Sequence, residues 1–253
     1  MLSRELRRRA KKAGQPPGTA IYMGKKKTLD PRITVLTYSE NAASETSGAT
    51  LDEALPAVKT AGVTWIHVEG LQNVALIEEL AKRYHIHPLT VEDILNVDQR
   101  PKVESFEGYL FITLKMLRWS EKRQTFSTEQ ISFVLGKDFL LSFQERENTY
   151  FKPIRERLKN TANQRLRQQG SDYLVYRLMD AIVDYYFVVL EKLGDQIEAV
   201  EDIIITDPKP QNTRTIYRLK RQLMIIRKSI WPMREAVSHL TQDESFTAFT
   251  RIY

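Results

Sequence analysis

Carboxylates are the side chains in this sequence whose types and spacing best suit a chemical task. Glu92 and Asp93 are adjacent and follow Pro88, where a helix is predicted to begin. The dipole of that helix favours negative charge near its start. Asp180 and Asp184 are four residues apart on a long predicted helix, so they share one face of it and repel each other. Either a divalent cation or a neighbouring base would relieve this repulsion.

The remaining ligand types decide which cation such a site would take. The sequence has four histidines and no cysteine, so a metal site must use oxygen ligands. Oxygen ligands select Mg²⁺, Ca²⁺ or Mn²⁺ over Zn²⁺. The simpler alternative for Asp180 is an ion pair with an arginine or lysine of the helix predicted over 211–240, and the spacing alone favours that alternative.

His85 and His87 are a weaker candidate for metal binding. On a strand both imidazoles would point the same way and could form a metal pair. Pro88 follows them at a predicted helix start, so a capping or packing role is the better interpretation. The sequence also lacks a glycine-rich phosphate loop, G-x-S-x-G, H-E-x-x-H and any nucleophile–base constellation, which argues against an enzyme.

Composition excludes several other classes of protein. The 253 residues are 42% hydrophobic and 28% charged, an ordinary globular balance. Without cysteine there is no disulfide framework and no cysteine nucleophile. No run of ~18 apolar residues occurs, so no membrane span is predicted within this sequence. The N-terminus has no apolar core and is not predicted to be a secretory signal.

Positive charge is concentrated in a basic N-terminal arm, residues 1–14. The arm has six arginines and lysines and one glutamate, while the whole chain has a net charge of +6. Such an arm can bind nucleic acid or an anionic membrane surface. It carries no aromatic side chain on which bases could stack. A solvated tail is therefore the simpler interpretation, and no nucleic-acid partner is expected.

Residues 15–150 are predicted to form an α/β domain in which helices flank a mixed sheet. Strands are predicted where β-branched and apolar residues cluster, with a hairpin turning at 136–138; they are ITVLTY (33–38), VTWIHV (63–68), 109–119 and 129–144. Helical spacing predicts helices over 51–58 and 74–84, and a third from Pro88.

Residues 151–245 are predicted to be helical throughout, with breaks at Gly170 and 206–210. The spacing predicts a short basic helix over 152–169, a long helix over 171–205 and a second long helix over 211–240. Residues 172–207 hold nine acidic and two basic residues, and 208–234 hold eight basic residues and no acid. A short connection makes the two long helices an antiparallel hairpin, with an apolar stripe from Val175 to Ile204 providing most of the packing energy.

Several segments resemble the CorA family of magnesium and cobalt channels, most closely its thermophilic bacterial and archaeal branch. They occur in the family's order and cover nearly the whole chain; they are PPGTAIYMG, VTWIHVEGL, HIHPLTVEDILNVDQRPKVESFEGYLFITLKML, EQISFVLG, DYLVYRLMDAIVDYYFVVLEKL and LKRQLMIIRKSIWPMRE. Taken together they are specific for the family, although no single one is.

The resemblance implies an architecture that composition does not. Family members are homopentamers in the cell membrane, with a cytoplasmic α/β domain, a helical hairpin and a stalk helix that continues into two membrane helices. The pore mouth of the family bears a Gly-Met-Asn motif, which residues 1–253 do not contain. The chain is therefore interpreted as the cytoplasmic part of a multi-pass membrane protein, in which 246–253 begin the stalk and the membrane is reached through a C-terminal region.

The resemblance also implies regulatory ion sites between neighbouring copies. Glu92 and Asp93 match the acidic pair of the family's E-D-I-L-N segment, and Asp180 matches the acid on its long helix. Asp184 is a further possible ligand, and another family ligand lies on the stalk just beyond the motif matched by the last residues here. These carboxylates are expected to bind Mg²⁺ weakly, with Co²⁺ or Ca²⁺ as substitutes, and to favour a closed pentamer.

Two other functions are compatible with the sequence. The nearer one is a transporter domain for zinc or another divalent cation from the same superfamily, although the retained acids favour the magnesium and cobalt branch. The more distant one is a soluble scaffold or a nucleic-acid-binding protein that uses the basic arm.

Overall fold

The computed structural model of the chain describes residues 14–24, 31–54, 62–147, 149–160, 164–206 and 212–242. Most of the basic arm, the connection between the two long helices and the expected stalk start at 246–253 lie outside these ranges. The same holds for 55–58, the second half of the helix predicted over 51–58.

Seven strands form one mixed sheet in the order β2-β1-β3-β7-β6-β5-β4. Every neighbouring pair is antiparallel except β3 and β7, which are parallel. The strands are β1 Arg32–Tyr38, β2 Ala43–Gly48, β3 Val63–Glu69, β4 Lys102–Phe106, β5 Tyr109–Ser120, β6 Thr125–Gly136 and β7 Phe139–Gln144. The central strands β3 and β7 are buried along almost their whole length, as expected for strands that are covered on both faces.

The helices cover both faces of this sheet. They are α1 Leu51–Ala54, α2 Val74–Arg83, α3 Pro88–Leu95, α4 Lys152–Lys159, α5 Gln164–Arg167, α6 Ser171–Thr206 and α7 Asn212–Gln242. Side chains of one sheet face, such as Trp65 and Ile112, form a core with α4, α6 and α7. Side chains of the other face, such as Ile66 and Phe111, form a second core with α1, α2 and α3. The sheet therefore separates α3 from α6.

This architecture confirms the predicted fold class, a layered α/β unit with a mixed sheet followed by a helical hairpin. The predicted stripe on α6 is buried from Val175 through Leu193. Where the stripe continues, Ile197 and Val200 face Leu219 and Leu223 of α7 across a cleft of about 570 Å³. The described surfaces of α6 and α7 that line this cleft are mainly apolar, but Ile216, Leu223 and Met224 remain exposed.

Two strands and one helix boundary differ from the sequence-based expectation. The edge strands β2 and β4 were not predicted, because their sequences ASETSG and KVESF are partly exposed and largely polar. The single helix expected over 152–169 is wrong. The structure has α4 and α5 instead, and α4 ends where Asn160 adopts an extended backbone.

We predict that Leu178→Ala lowers the free energy of unfolding by about 3 kcal/mol, because it opens a cavity between α6 and the sheet. Leu178 is fully buried in the core that joins the two. Leu190→Ala on the same helix is the matched control, because Leu190 is 38% exposed and should lose less than about 1 kcal/mol. Urea unfolding followed by circular dichroism measures both, and equal losses would contradict this packing.

Candidate metal site

Glu92 and Asp93, the first acidic pair, lie on α3, a helix with a well-defined start. His87 caps α3 through its Nδ1, which accepts a hydrogen bond from the Leu89 backbone N–H at 3.2 Å. The Tyr109 hydroxyl on β5 accepts from the His87 backbone N–H at 3.0 Å and lies 2.9 Å from the Thr90 hydroxyl. The capping role expected for His87 is thus confirmed. Because the apolar side of α3 is buried against the sheet, Glu92 and Asp93 lie on its half-buried side.

Glu92 holds the N-terminal segment against α3. Its Oε2 accepts a hydrogen bond from the Gly18 backbone N–H at 2.6 Å. Gly18 has a φ of +82°, and an added Cβ would lie 3.0 Å from the Pro88 Cβ, so this close approach requires glycine. A backbone hydrogen bond from Met23 to Leu95 at 3.0 Å fixes the same segment at the other end of α3.

Asp93 accepts hydrogen bonds at both carboxylate oxygens. Its Oδ2 lies 2.6 Å from the Lys102 Nζ on β4, and its Oδ1 accepts from the Gln99 side-chain amide. Lys102 also pairs with Glu104 Oε1 at 2.7 Å. Gln130 on β6 completes the cluster, since its amide donates to the Asp93 carbonyl at 2.9 Å and its oxygen accepts from the Gln99 backbone N–H at 2.8 Å.

The ammonium group at the centre of this cluster keeps its charge. Burial lowers the pKa of Lys102, but hydrogen bonds to Asp93 and Glu104 act in the opposite direction, and the net effect is a raised pKa. The side chains of Lys102 and Asp93 are 29% and 16% exposed. Lys102 is therefore a protonated counterion for Asp93 at neutral pH.

The second acidic pair lies on α6. Asp180 Oδ2 is 2.8 Å from Arg177 Nη1 on the same helix, while Asp184 is exposed. The expectation that a base of the second long helix pairs with Asp180 is wrong. An arginine three residues away on the same helix reaches the carboxylate, because i and i+3 positions are neighbours on a helix surface.

The two pairs do not form one metal site within a single chain. The sheet separates α3 from α6, and no group of three or more possible ligands clusters among the described residues. Carboxylate oxygens are nevertheless the ligands that hard cations such as Mg²⁺ prefer. Each pair therefore offers oxygen ligands that suit a hard cation, but the described part of one chain does not bring the two pairs together.

The partners of Asp93 were missed by the sequence reasoning. Lys102 and Glu104 belong to β4, the edge strand that the sequence did not predict. Gln130 gave little signal in the sequence, because β6 (TFSTEQISFVLG) contains several other polar residues. In the structure Gln130 is 1% exposed and, as expected for a buried polar side chain, hydrogen-bonded.

Lys115 on β5 connects the loop after α3 to the helical hairpin. Its ammonium lies 3.3 Å from the Val97 carbonyl and 3.6 Å from Asp98 Oδ1, and burial lowers its pKa. Its carbonyl accepts a hydrogen bond from the Tyr186 hydroxyl of α6. That hydroxyl is also 3.7 Å from the Met233 sulfur of α7. Continuous contacts thus run from the Asp93 region to both long helices.

A second polar cluster lies inside the molecule, on β3 and β7. His67 Nδ1 is 2.7 Å from the Ser142 hydroxyl, which accepts a hydrogen bond from Trp65 Nε1 at 2.8 Å. His67 Nε2 lies 3.6 Å from Glu69 Oε1, which accepts from Gln144 at 2.8 Å. Serine, histidine and glutamate are residue types of nucleophilic sites. Here all three are buried, so the cluster is a hydrogen-bonded part of the protein interior.

This cluster predicts a pH dependence of stability. Burial, the larger effect, lowers the pKa of His67, and Glu69 opposes it without overcoming it. The folded protein therefore binds fewer protons than the unfolded chain between that lowered pKa and about pH 6.5. The stability contributed by neutral His67 is complete above about pH 7 and is lost as the pH falls through this window.

We predict that His67→Gln makes the free energy of unfolding less dependent on pH between about pH 7.5 and 5.5, because it removes this titration. Urea unfolding of both proteins at several pH values in this range measures the slopes. Parallel slopes would show that His67 is not the group responsible.

Comparison with known proteins identifies the family. A family model described as CorA-like Mg²⁺ transporter protein matches residues 60–250. The cobalt/magnesium transport protein CorA of Thermotoga maritima is 40% identical over 239 residues, which cover 94% of this chain and 68% of that protein. The putative metal ion transporter YfjQ of Bacillus subtilis is 28% identical over 203 residues, covering 75% of this chain and 59% of that protein. The chain thus spans about two thirds of the length of these curated relatives.

Solved structures share the fold. The complete CorA magnesium transporter of Methanocaldococcus jannaschii has a TM-score of 0.67 at 17% identity, covering 90% of this chain and 70% of that one. The soluble domain of the same transporter has a TM-score of 0.64 at 18% identity, covering 87% and 86%. The ZntB cytoplasmic domain of Vibrio parahaemolyticus has a TM-score of 0.59 at 17% identity, covering 88% and 84%. At such identities the likeness shows the fold alone.

The family model and the curated relatives place the chain in the metal-ion transporter class. The family match and the identity to the Thermotoga protein show that the chain belongs to the CorA family. The resemblance stated from sequence motifs is thereby confirmed. Among the described residues no helix is both long and apolar enough to cross a membrane.

Proposed function

We propose that this chain is the regulatory part of a CorA-type magnesium and cobalt channel. Glu92 and Asp93 of one copy and Asp180 of its neighbour bind divalent ions between copies, with Asp184 as a further ligand. The observation that carries this proposal is the placement of the two acidic pairs on helices that cover opposite faces of one sheet. A second copy of the chain is then needed to bring them together.

The chemistry of the ligands favours weak binding of Mg²⁺. This ion loses water reluctantly, so a few carboxylates hold it while several waters remain bound. Here the carboxylates of Asp93 and Asp180 must also give up existing partners, Lys102 and Arg177. Both features suit a sensor of an abundant ion. Co²⁺ or Ca²⁺ can substitute for Mg²⁺ at such a site.

The regulatory effect follows from differential binding. Carboxylates that face each other across an interface repel when no ion is present and attract a shared ion when one is. The closed, symmetric assembly is therefore stabilised if its carboxylates bind the ion better than those of the open one. At an ion concentration about 100 times the dissociation constant, one site contributes about 2.7 kcal/mol. Several equivalent sites around a ring, five in a pentamer, bias the gate substantially.

A route from the site to the helical hairpin supports this proposal. Movement of the loop after α3 changes the contacts of Lys115, and the carbonyl of Lys115 is held by Tyr186 of α6. Tyr186 in turn contacts Met233 of α7. In the full-length protein, which we place in the cell membrane with this region on the cytoplasmic side, the hairpins would pass this change to a stalk and pore.

The second candidate is a transporter domain for zinc or another divalent cation. It is favoured by one observation, the fold shared with the ZntB domain. The carboxylate ligands weigh against it, because zinc sites in proteins use mainly sulfur and nitrogen ligands. Competition between Mg²⁺ and Zn²⁺ for the purified chain separates the two candidates.

We predict that Asp93→Asn raises the Mg²⁺ concentration needed for half-maximal protection against chymotrypsin by at least about tenfold. The reason is that removing one negative charge from the ligands lowers their affinity for the cation. The measurement is a digestion series over 0–20 mM Mg²⁺ (about the range a weak site requires), with K⁺ added to keep the ionic strength constant. Asp52→Asn, which neutralises an exposed acid on α1, is the matched control. An unchanged midpoint in Asp93→Asn would contradict the assignment.

A further inference from the structure

Lys102 places a positive charge directly beside Asp93. Its ammonium lies 2.6 Å from Asp93 Oδ2 and 2.7 Å from Glu104 Oε1, and the Phe111 ring centroid lies 5.7 Å away. The Lys102 side chain is 29% exposed, whereas that of Asp93 is only 16% exposed. The ammonium is therefore in direct contact with the carboxylate, and the Lys102 side chain is the more exposed of the two.

The Asp93 carboxylate cannot bind two neighbouring cations as strongly as it binds one. An ammonium and a divalent ion that both contact this carboxylate would repel each other. Both oxygens already have a partner, since Lys102 contacts Oδ2 and Gln99 donates to Oδ1. Binding at Asp93 therefore requires that Lys102 move away. The second partner makes this movement possible, because Lys102 can leave Asp93 while it keeps its ion pair with Glu104. Glu104 is the more exposed of the two acids, at 42%.

We propose that Lys102 is a tethered cation that competes with divalent ions for Asp93, and that Glu104 holds Lys102 when an ion displaces it. This inference rests on the proposed function, since it concerns the same carboxylate. In this proposal Lys102 and Glu104 determine the ion concentration at which the domain responds. Neither residue needs to contact the ion.

The proposal predicts opposite effects at the two positions. Lys102→Met removes the competitor, so the Mg²⁺ midpoint should fall about fivefold, the size expected for one partly exposed ion pair. Glu104→Gln leaves Lys102 with Asp93 as its only charged partner in this cluster, so the midpoint should rise about threefold. Lys102→Arg keeps the competing positive charge, so its midpoint should stay above that of Lys102→Met.

The experiment uses the 253-residue chain and Mg²⁺ alone as the probe. Midpoints come from chymotrypsin protection, and isothermal titration calorimetry provides an independent reading. Lys82→Met and Glu107→Gln are matched controls, because both residues are exposed and carry the same charges as Lys102 and Glu104. They report the effect of net charge alone.

The double variant tests the coupling between the two residues. If Glu104 acts through Lys102, then Glu104→Gln in the Lys102→Met protein should change the midpoint no more than Glu107→Gln does. An additive effect of the two substitutions would overturn the role given to Glu104. A Lys102→Met midpoint that matches Lys82→Met would overturn the competition itself.

Asp93→Asn, run in parallel, separates this inference from the proposed function. Loss of the Mg²⁺ response in Asp93→Asn with an unchanged midpoint in Lys102→Met contradicts the competition and leaves the sensing carboxylate in place. A full response in Asp93→Asn contradicts the sensing assignment and the competition together. Loss of thermal stability in Lys102→Met without Mg²⁺, at an unchanged midpoint, would show that Lys102 is only a structural ion pair.

Discussion

The seven-stranded sheet must have both faces covered, and the rest of the molecule follows from this constraint. Its central strands are apolar on both sides, so helices must pack on each face to bury them. The short helices α2 and α3 cover one face, and α4, α6 and α7 cover the other. The carboxylates of α3 and α6 are thus held in separate layers of one chain, so the shared ion that we propose requires two copies.

Much of this arrangement could be predicted from sequence, because its signals are local. VTWIHV and the strands on either side of residues 136–138 are apolar runs bounded by turn residues, and α6 repeats its buried positions at helical spacing. The edge strands β2 and β4 carry no such signal, since one side of each meets solvent. The division of 152–169 into two helices is set by a backbone change at Asn160 that helical propensity does not reveal.

The candidate site, like the fold, could be predicted from the sequence only in part. The acids themselves were found from their spacing and from the family motif. Their partners were not, because pairing depends on which element lies alongside. Asp93 pairs with a lysine from an edge strand, and Asp180 pairs with Arg177 of its own helix rather than with a base of the oppositely charged helix. The net charges of α6 and α7 therefore did not identify the partner of either acid.

If the ion binds between two copies of the chain, as we propose, then mixing two variants should restore a complete site. Asp93→Asn and Asp180→Asn chains are each examined alone and after being unfolded and refolded together, with Mg²⁺ against K⁺ at equal ionic strength. We predict that, at the Mg²⁺ concentration that gives half-maximal protection of the wild type, neither variant alone gains appreciable Mg²⁺-specific protection from chymotrypsin. The mixture should regain part of it, because some interfaces then combine an intact Asp93 with an intact Asp180. A mixture that behaves as the average of its two components would contradict a shared site.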